Sequence, residues 1–503
     1  MIYTKHNLDD TIVALATPPG VGAIGVIRLS GKDAITIADS IFHGKKLEKQ
    51  KTHTAHFGTI RDKAPQPPKG ELRHRSPPLG AGGLYVIDEV LATVFVAPRS
   101  YTRENVVEFS CHGSPYILQK VIELCLENGA RMAQAGEFTL RAFLNGQLDL
   151  SQAEAVADLI ASSSAASHDL AMQQMRGGFS EKIKILRGQL VNFASLIELE
   201  LDFGEEDVEF ANRHELNTLI FDIQRLIKQL LDSFALGNVL KNGVSTVLAG
   251  RPNAGKSTLL NALLDEERAI VSDIAGTTRD TIEEILNIKG VEFRLIDTAG
   301  IREATDTIEA MGVQKTMEKV QSSTILVYLF DVIETKIMDV LTDLQKLQRP
   351  NLKLIVACNK MDKNPYFDPQ WLTDFNNPTI PEYYLGTINP EADYPELDKK
   401  QIITLSAKHS MNVPYLKEKL YDLVADGKIQ TDNVIVSNAR HFEALQKSHQ
   451  SLDDVLRGLS TGVTTDFVAM DIRRSLHHLG EITGEISTDD LLETIFSKFC
   501  IGK

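Results

Sequence analysis

Residues 250–257 read Gly-Arg-Pro-Asn-Ala-Gly-Lys-Ser, which is the spacing of a phosphate-binding loop. A β-rich apolar run, Val244–Ala249, precedes this loop, and a leucine-rich helical pattern, Leu259–Leu264, follows it. In that context the backbone amides that open the helix point at phosphates, and the helix dipole favours their charge. The loop therefore predicts a nucleoside triphosphate site, with Lys256 on the β- and γ-phosphates and the Ser257 hydroxyl on Mg²⁺.

Three further motifs follow in the order typical of guanine-nucleotide switches. The segment Asp297–Gly300 offers a carboxylate to Mg²⁺ through water and a glycine amide to the γ-phosphate. Asn359–Asp362 places a carboxylate where guanine donates from N1 and from its 2-amino group, a pair of donors that adenine lacks. Ser406–Lys408 offers backbone amides to the guanine O6. Together the four motifs predict that the nucleotide is GTP. The predicted strands before the last three are Phe293–Ile296, Leu352–Cys358 and Ile402–Leu405.

Hydrolysis needs a group other than the glutamine that orients water in Ras-type GTPases, because Ile301 follows Gly300 here. Oxygens of Asn253 and of the loop 272–278 can hold a monovalent cation at the charge position of an arginine finger. Thr278 is the natural second Mg²⁺ hydroxyl. Glu309 can position water, although its spacing alone is more typical of a solvated carboxylate on a helix. The candidate GTP-site residues are Asn253, Ala254, Gly255, Lys256, Ser257, Thr258, Ser272, Asp273, Ile274, Ala275, Gly276, Thr277, Thr278, Asp297, Thr298, Ala299, Gly300, Asn359, Lys360, Asp362, Ser406, Ala407 and Lys408.

Length and composition are those of a soluble protein of about three domains: 503 residues, 43% hydrophobic and 24% charged. No apolar run is long enough to cross a membrane, and the N-terminus has no secretory pattern, so we predict a cytoplasmic protein. The net charge of −15 argues against a surface that coats nucleic acid, but it permits a local basic patch or recognition of a folded RNA. The cysteines (Cys111, Cys125, Cys358 and Cys500) lack metal or disulfide spacing.

Residues 1–150 have a mixed α/β pattern. The segment Gly20–Gly25 matches GxGxxG, but the strand-like Val26–Leu29 follows where a dinucleotide site would open a helix. A hairpin-type connection is therefore favoured over a dinucleotide site. Residues 61–83, rich in proline and glycine, are predicted to be a surface excursion. The predicted strands are Thr11–Thr17, Gly25–Leu29, Val86–Val96 and Val106–Cys111, and the predicted helix is Tyr116–Asn128.

Helical periodicity dominates residues 151–238 and 431–503, on both sides of a GTP-binding segment at 239–430. Each flank carries an apolar stripe, so the two are expected to pack on each other as one helical domain that the GTP-binding segment interrupts. Within that segment, Pro365–Leu397 is predicted to be a surface loop with little structure. Cys500, near the end, is either an inert buried thiol, which its residue type favours, or a reactive one. The stripes are Leu186, Leu190, Phe193, Ile197 and Leu201, and Phe442, Leu445, Leu452 and Leu456.

Stretches along the whole chain resemble the tRNA modification GTPase family MnmE, also called TrmE. The resemblance implies that residues 1–150 form an α+β domain that binds a tetrahydrofolate derivative (5-formyl or methylene) and mediates homodimerisation. It implies a fold in which an α/β G domain, a P-loop NTPase with a mixed, mostly parallel sheet, is inserted in an all-α helical domain. The matching stretches are 11–20, 136–139, 142–145, 148–155, 249–257, 273–280 and 500–503.

The resemblance also implies a reaction and its partners. Such proteins work with the flavin-dependent MnmG (GidA), which carries FAD, in an expected heterotetramer. Together they add an aminomethyl or carboxymethylaminomethyl group at C5 of the tRNA wobble uridine. G domains are expected to dimerise transiently across the nucleotide, and Glu309 becomes the residue that orients water. The implied K⁺ ligands are Asn253, Ser272, Ile274 and Thr277.

For the folate pocket the resemblance points to Arg28, Glu108 and Lys503. A carboxylate such as Glu108 can accept hydrogen bonds from the amino-pyrimidine edge of a pterin. Many family members have lysine where this chain has Gln147, so a charge contact made there would be lost. Cys500 is a possible thiol in the modification chemistry.

Two alternatives stay open from the residues. A regulatory or ribosome-assembly GTPase, which acts through timed binding, would share the same G-domain motifs. A folate enzyme that performs one-carbon transfer unaided would use GTP only for control. The folate-type N-terminal region and the ending Cys500–Lys503 favour the tRNA modification GTPase over the regulatory GTPase. The folate enzyme would differ by turning over folate without the flavin-dependent partner.

Overall fold

The computed structural model describes residues 9–63, 84–202, 213–264, 283–297, 319–321, 323–350, 352–389, 392–425, 434–461 and 463–502. These residues form two compact units, which are described one at a time. The first comprises 1–157, 174–224 and 444–503, and the second comprises 158–173 and 225–443. Among the described helices, none is both long and apolar enough to span a bilayer.

The first unit begins with β1 (Ile12–Leu15), β2 (Ile24–Ser30), α1 (Ala34–Ile41), β3 (Phe42–His43), β4 (Thr54–Lys63), β5 (Leu84–Phe95), β6 (Val106–His112), α2 (Pro115–Glu127), β7 (Arg131–Met132), α3 (Glu137–Leu144) and α4 (Leu150–Ala161). The strands form a seven-stranded sheet in the order β3-β4-β5-β6-β2-β1-β7. Side chains alternate across a strand, so Ile27 and Leu29 join α1 and α2 in the core while Arg28 points to the opposite face.

The predicted strands and helix of this region are confirmed. β1 and β2 pair antiparallel, which agrees with a hairpin and not with a dinucleotide-binding βαβ unit. The prediction that residues 61–83 form an irregular surface loop is wrong for its first three residues, because Arg61–Lys63 continue β4 and pair with β5. Residues 64–83 lie outside the described part of the chain.

The helices after α4 are α5 (Ala165–Met175), α6 (Gly178–Asp202) and α7 (Arg213–Asn242), and the last three are α12 (Ala439–Thr461), α13 (Thr465–Thr483) and α14 (Asp489–Phe496). The predicted packing of the two flanks is confirmed in the first unit, where α6 lies against α13. Leu190 and Ile197 of the predicted stripe are fully buried. On the surface, the guanidinium of Arg473 donates to Glu198 at 2.6 Å.

The second unit contains β8 (Val244–Ala249), α8 (Lys256–Leu264), β9 (Glu283–Ile288), β10 (Val291–Asp297), β11 (Ile325–Asp331), α9 (Ile337–Leu347), β12 (Lys353–Asn359), α10 (Glu382–Leu385), β13 (Ile402–Thr404) and α11 (Val413–Ala425). Its six-stranded sheet has the order β13-β12-β11-β8-β10-β9, parallel except for the pair β9–β10. Both faces are covered, which explains why the central strands β11 and β12 read as nearly continuous apolar runs. The carboxyl ends of the parallel strands therefore meet at one edge, where ligands of such sheets bind.

The segment Pro365–Leu397 is short of regular structure, as predicted, but the prediction of a surface loop holds only in part: Tyr366 (89% exposed) and Tyr383 (69% exposed) lie at the surface, while a few other side chains are buried. Phe367 and Leu372 are almost fully buried, and Trp371 is 9% exposed. These side chains pack in the core cluster that covers β11 and β12. Burial of these aromatic side chains removes apolar surface from water and so stabilises the segment, whereas a wholly polar loop would bury little such surface.

The hairpin β9–β10 lies against the start of α5 within the second unit. The amide of Ala166 donates to the carbonyl of Gly290, in the hairpin turn, at 3.2 Å. The hydroxyl of Ser163 donates to the carboxylate of Glu292, which is 6% exposed. In sequence, this hairpin connects the loop 272–278 to the segment 298–300.

Candidate functional site

The phosphate-binding loop connects β8 to α8 at the carboxyl edge of the sheet. Gly250 has φ +151°, and a Cβ there would lie 2.0 Å from the carbonyl oxygen of Leu329, so only glycine fits. The ammonium of Lys256 donates to the carbonyls of Gly250, at 2.8 Å, and Arg251, at 3.0 Å. A side chain held among the loop carbonyls is close to where phosphate oxygens bind in such loops.

Asn359 connects three of the four predicted motifs. Its Nδ2 donates to the carbonyl of Ala254 at 2.7 Å, and its Oδ1 accepts from the amide of Ala407 at 2.9 Å. A Cβ on Gly255 would lie 2.4 Å from that Nδ2, which requires glycine at this position. One buried amide side chain thus holds together the phosphate loop, the segment Asn359–Asp362 and the segment Ser406–Lys408.

Asp362, the predicted guanine acceptor, is held by a side chain of the last motif. Its Oδ1 accepts from the hydroxyl of Ser406 at 2.6 Å, and this hydrogen bond holds the pKa of Asp362 below its ordinary value. The carboxylate is therefore ionised at neutral pH, so it can accept hydrogen bonds but cannot donate one. An ionised acceptor at this position is compatible with the predicted contact to the guanine N1–H and 2-amino group.

Lys360 has a partner that the sequence did not reveal. Its ammonium lies 2.6 Å from Oδ2 of Asp331, which is almost fully buried at the end of β11. The pairing depends on the register of β11 against β12, where Asp331 and Asn359 are neighbours. The only signal in the sequence is that Asp331 follows an apolar run, as Asn359 does; the sequence does not show that the two strands are neighbours.

Arg251 fixes the first half of the phosphate loop against α9. Its Nε lies 2.8 Å from Oδ2 of Asp343, and its Nη1 lies 3.0 Å from Oδ2 of Asp339. The hydroxyl of Tyr328, in β11, donates to Asp343 at 2.5 Å. Burial and the Asp343 carboxylate raise the pKa of Tyr328, so its hydroxyl stays a donor. Sequence reasoning also missed this cluster, since its members are far apart in the chain.

We expect Arg251→Ala to weaken GTP binding about threefold to tenfold and to lower the free energy of unfolding by about 1 kcal/mol. The loop carbonyls that receive Lys256 would lose their anchor on α9. Nucleotide titration and chemical denaturation measure the two effects.

A matched pair of variants tests the cause. Asp343→Asn should reproduce most of the loss, because Asp343 also accepts from Tyr328 and is only 24% exposed. Asp339→Asn, at a carboxylate that is 46% exposed, should change little. Equal effects of the two variants would contradict this account.

Several predicted residues lie outside the described part of the chain: 272–278, 298–300 and Glu309. The backbone of Asp297 ends β10, next to Leu248 of β8, as the motif order predicts. Asn253 has a left-handed backbone with φ +60° and an exposed side chain. The described residues 253–258, 359–362 and 406–408 are brought to one edge of the sheet.

A second candidate site lies on the face of the N-terminal sheet opposite α1 and α2. Arg28 and Glu108 are cross-strand neighbours on β2 and β6, and Nε of Arg28 lies 2.7 Å from Oε1 of Glu108. The rings of Tyr101 and Phe138 lie 5.9 Å and 5.6 Å from the Arg28 guanidinium carbon. A paired arginine and carboxylate between aromatic rings suits a flat heterocycle with amino and carbonyl groups.

The end of the chain docks at this site. The Arg28 Nη1 donates to the carbonyl of Gly502 at 3.4 Å, and Ile501 forms an antiparallel bridge with Ala135. Gly502 has φ +95°, and a Cβ there would lie 2.2 Å from the carbonyl oxygen of Leu15. The structure thus places the chain end beside two of the predicted folate residues, while Lys503 lies outside the described residues.

The expectation that Cys500 is buried is wrong, because its side chain is exposed. The carbonyl of Cys500 accepts from the amide of Gly136 at 3.3 Å, which ties the backbone and leaves the thiol at the surface. The other three cysteines are buried. Burial raises the pKa of Cys111 and Cys125 to about 12, so both thiols stay protonated at neutral pH.

Gln147 is not joined to Arg28 or Glu108 by any contact among the described residues. Its Oε1 instead accepts from Nε of Arg103 at 2.9 Å. Arg103 was absent from the predicted site, and no sequence motif marks it.

Comparisons with known proteins agree with this arrangement. The family described as the MnmE helical domain matches residues 150–500, and the GTP-binding protein TrmE N-terminus matches residues 11–147. The tRNA modification GTPase MnmE of Cytophaga hutchinsonii is 51% identical over 500 residues, which cover 99% of both chains. The protein of the same name from Christiangramia forsetii is 51% identical over 507 residues, 99% of this chain and 100% of that one.

Among solved structures, Aquifex aeolicus Era bound to GDP.AlF4- is 24% identical, covers 41% of this chain and 66% of its own, and has a TM-score of 0.26. That likeness is too low to carry an argument. The predicted fold class is confirmed: an α/β P-loop segment inserted in a helical domain, after an α+β N-terminal domain. The chain belongs to the MnmE family of tRNA modification GTPases.

Proposed function

We propose that this chain is a potassium-activated GTP hydrolase that acts in modification of the tRNA wobble uridine. It is a GTP-hydrolysing enzyme of tRNA modification, as its family membership indicates. The observation that carries the nucleotide part is the contact of Asn359 with both Ala254 and Ala407, which assembles phosphate and base recognition at one sheet edge. The proposed product carries an aminomethyl or carboxymethylaminomethyl group at C5, made with the flavoprotein MnmG (GidA).

In this proposal the phosphate loop binds the β- and γ-phosphates through its amides and Lys256. The hydroxyls of Ser257 and Thr278 hold Mg²⁺, which neutralises charge on the phosphates when bound. Asp362 and the amides of Ser406–Lys408 select guanine. Glu309 orients the attacking water, a role that rests on the family resemblance alone.

The potassium site is proposed from Asn253, Ser272, Ile274 and Thr277. The exposed side chain and left-handed backbone of Asn253 support it, because they leave an amide oxygen at the mouth of the phosphate loop. When bound there, K⁺ supplies positive charge beside the phosphates. Asparagine adopts this backbone conformation more readily than most residues do.

Residues 1–150 are proposed to bind 5-formyl- or methylene-tetrahydrofolate and to mediate homodimerisation. The ion pair Arg28–Glu108, the flanking rings and the docked Gly502 support the ligand assignment. The helical segments 151–238 and 431–503 and the GTP-binding segment 239–430 are proposed as the remaining domains. G-domain dimerisation, the heterotetramer with MnmG and a cytoplasmic location remain predictions.

The function is tested by mass spectrometry of tRNA nucleosides from cells that lack this gene, complemented with wild-type or Lys256→Ala copies. We expect loss of the modified wobble uridine in the deletion, full recovery with the wild type, and at most a few per cent recovery with Lys256→Ala. Loss of a phosphate-contacting ammonium typically costs hydrolysis at least 100-fold.

Lys346→Ala is the matched control, since Lys346 is an exposed lysine of the same unit. It should restore modification like the wild type. Unchanged wobble uridines in the deletion strain would instead favour the regulatory or ribosome-assembly function. Full recovery with Lys256→Ala would separate the modification from GTP hydrolysis.

A further inference from the structure

Arg103 is held in an uncommon backbone conformation at the edge of the N-terminal ligand site. Its φ is +59°, in the left-handed region that side chains with a Cβ disfavour. Its neighbours fix this geometry. Thr102, fully buried, shares a hydrogen bond with Ser30 at 2.7 Å, and Glu104 accepts from Ser30 at 2.6 Å. Nη1 of Arg141 lies 3.2 Å from Oε1 of Glu104. The loop therefore presents Arg103 from a rigid frame.

The guanidinium of Arg103 is oriented by two hydrogen bonds. Nε donates to Oε1 of Gln147 at 2.9 Å, and Nη1 donates to the carbonyl of Asn145 at 3.0 Å. Asn145 is itself fixed, because its Nδ2 donates to the carbonyl of Thr102 at 2.7 Å. Neither acceptor of Arg103 is a carboxylate, so the positive charge is not neutralised by any carboxylate of the described residues.

The remaining donors of this guanidinium suit an anion. Two of its five N–H groups are used, which leaves three, including both on Nη2, without a partner among the described residues. The Nη1–Nη2 edge has the fork geometry that matches a carboxylate with two parallel hydrogen bonds. Gln147, whose oxygen accepts from Arg103, is exposed like Arg103 itself, and its amide NH₂ is a further donor there.

Arg103 also lies within reach of the ligand that Arg28 and Glu108 would hold. Phe138, whose ring lies 5.6 Å from the Arg28 guanidinium carbon, is near the start of α3, and Asn145, which accepts from Arg103, follows its last residue. At 1.5 Å per helical residue, the two are about 10 Å apart along the helix. A folate is elongated, with its amino-pyrimidine at one end and the carboxylates of glutamate at the other. The pair Arg28–Glu108 suits the first end, and an unneutralised arginine suits the second.

We infer that Arg103, oriented by Gln147 and Asn145, binds the glutamate carboxylates of the tetrahydrofolate ligand. This inference rests on the proposed folate site. It means that the positive charge expected to be lost with glutamine at position 147 is supplied by Arg103, and that Gln147 serves as a positioning residue.

Calorimetric titration of the full-length protein tests this with two ligands: 5-formyltetrahydrofolate and its glutamate diamide, in which both carboxylates are neutral. Arg103→Gly removes the side chain and keeps the left-handed backbone, which glycine adopts freely. We expect it to weaken binding of the carboxylate ligand about tenfold and binding of the diamide less than twofold. Gln147→Lys, added to Arg103→Gly, should restore most of the lost affinity. Arg99→Gly, at an exposed arginine of the same loop, is the matched control and should change neither ligand.

Equal weakening of both ligands by Arg103→Gly would mean that the residue only supports the loop, and no weakening would mean that it does not touch the ligand. Either result overturns the inference while the folate site stands. Failure of the wild-type protein to bind 5-formyltetrahydrofolate overturns the folate proposal and this inference with it.

Discussion

Asp362→Asn should weaken GTP binding at least 100-fold and make xanthosine triphosphate the preferred nucleotide. In the proposed site the ionised carboxylate accepts from guanine N1–H and from the 2-amino group. The NH₂ of an asparagine would instead face one of these guanine donors, and two donors cannot form a hydrogen bond. A site that binds a base through hydrogen bonds strongly rejects a mismatched base, because the mismatch leaves desolvated donors without acceptors. Xanthine has a carbonyl in place of the 2-amino group, which an asparagine NH₂ can meet.

The hydrogen bond from Ser406 should survive the substitution, since an amide oxygen also accepts. Fluorescent GDP and XDP analogues, titrated against both proteins, measure the two affinities. Asp374→Asn is a matched control at an exposed carboxylate of the same unit, and it should bind GTP like the wild type. Loss of both nucleotides by Asp362→Asn would indicate a damaged loop instead of a changed specificity.

GTP hydrolysis should be roughly 100-fold faster in KCl than in NaCl at equal ionic strength. The reason is that an ion smaller than K⁺ fits the same set of oxygens poorly and places its charge less well beside the phosphates. Phosphate release under saturating GTP measures the ratio. Similar rates in the two salts would rule out the cation proposal.

Two substitutions at Asn253 distinguish the effect of its side-chain oxygen from the effect of its left-handed backbone conformation. Asn253→Gly keeps φ near +60° without strain but removes the side-chain oxygen, so its rate in KCl should fall to the rate in NaCl. Asn253→Asp keeps an oxygen and tolerates the same φ, so it should retain the preference for K⁺. GTP affinity should change little in either variant. Retention of the preference in Asn253→Gly would exclude Asn253 as a ligand.

Hydrophobic periodicity and motif order were sufficient to predict the GTP-binding segment. Most residues of β8 and β12 are buried on both faces, and each of these strands is mainly apolar and ends at its motif. In β10 and β13 the shorter apolar pattern, together with the motif that follows, was sufficient. The sequence could not show Asp331 beside Lys360 or Asp343 beside Arg251. The first pair depends on the register of β11 against β12 and the second on how α9 packs beside the phosphate loop, and these bring together residues 29 and 92 positions apart.

The errors have physical causes as well. Pro365–Leu397 is polar and proline-rich on average, but burial is decided by a few aromatic side chains such as Phe367 and Trp371. Cys500 belongs to a residue type that is most often buried, and its docked backbone nevertheless leaves the side chain at the surface. Arg103 has no motif, because its role depends on contacts across 42 and 44 residues of chain.

The hairpin β9–β10 offers a way to observe the GTP cycle without a covalently attached probe. The hairpin connects, in sequence, two segments that are predicted to contact the nucleotide, and its turn accepts a hydrogen bond from the Ala166 amide. An amide exchanges its proton with solvent only when such a bond opens. Deuterium uptake at residues 163–166 should therefore differ between GDP-bound and GTP-analogue-bound protein, and would report the state of the nucleotide from a position outside its binding site.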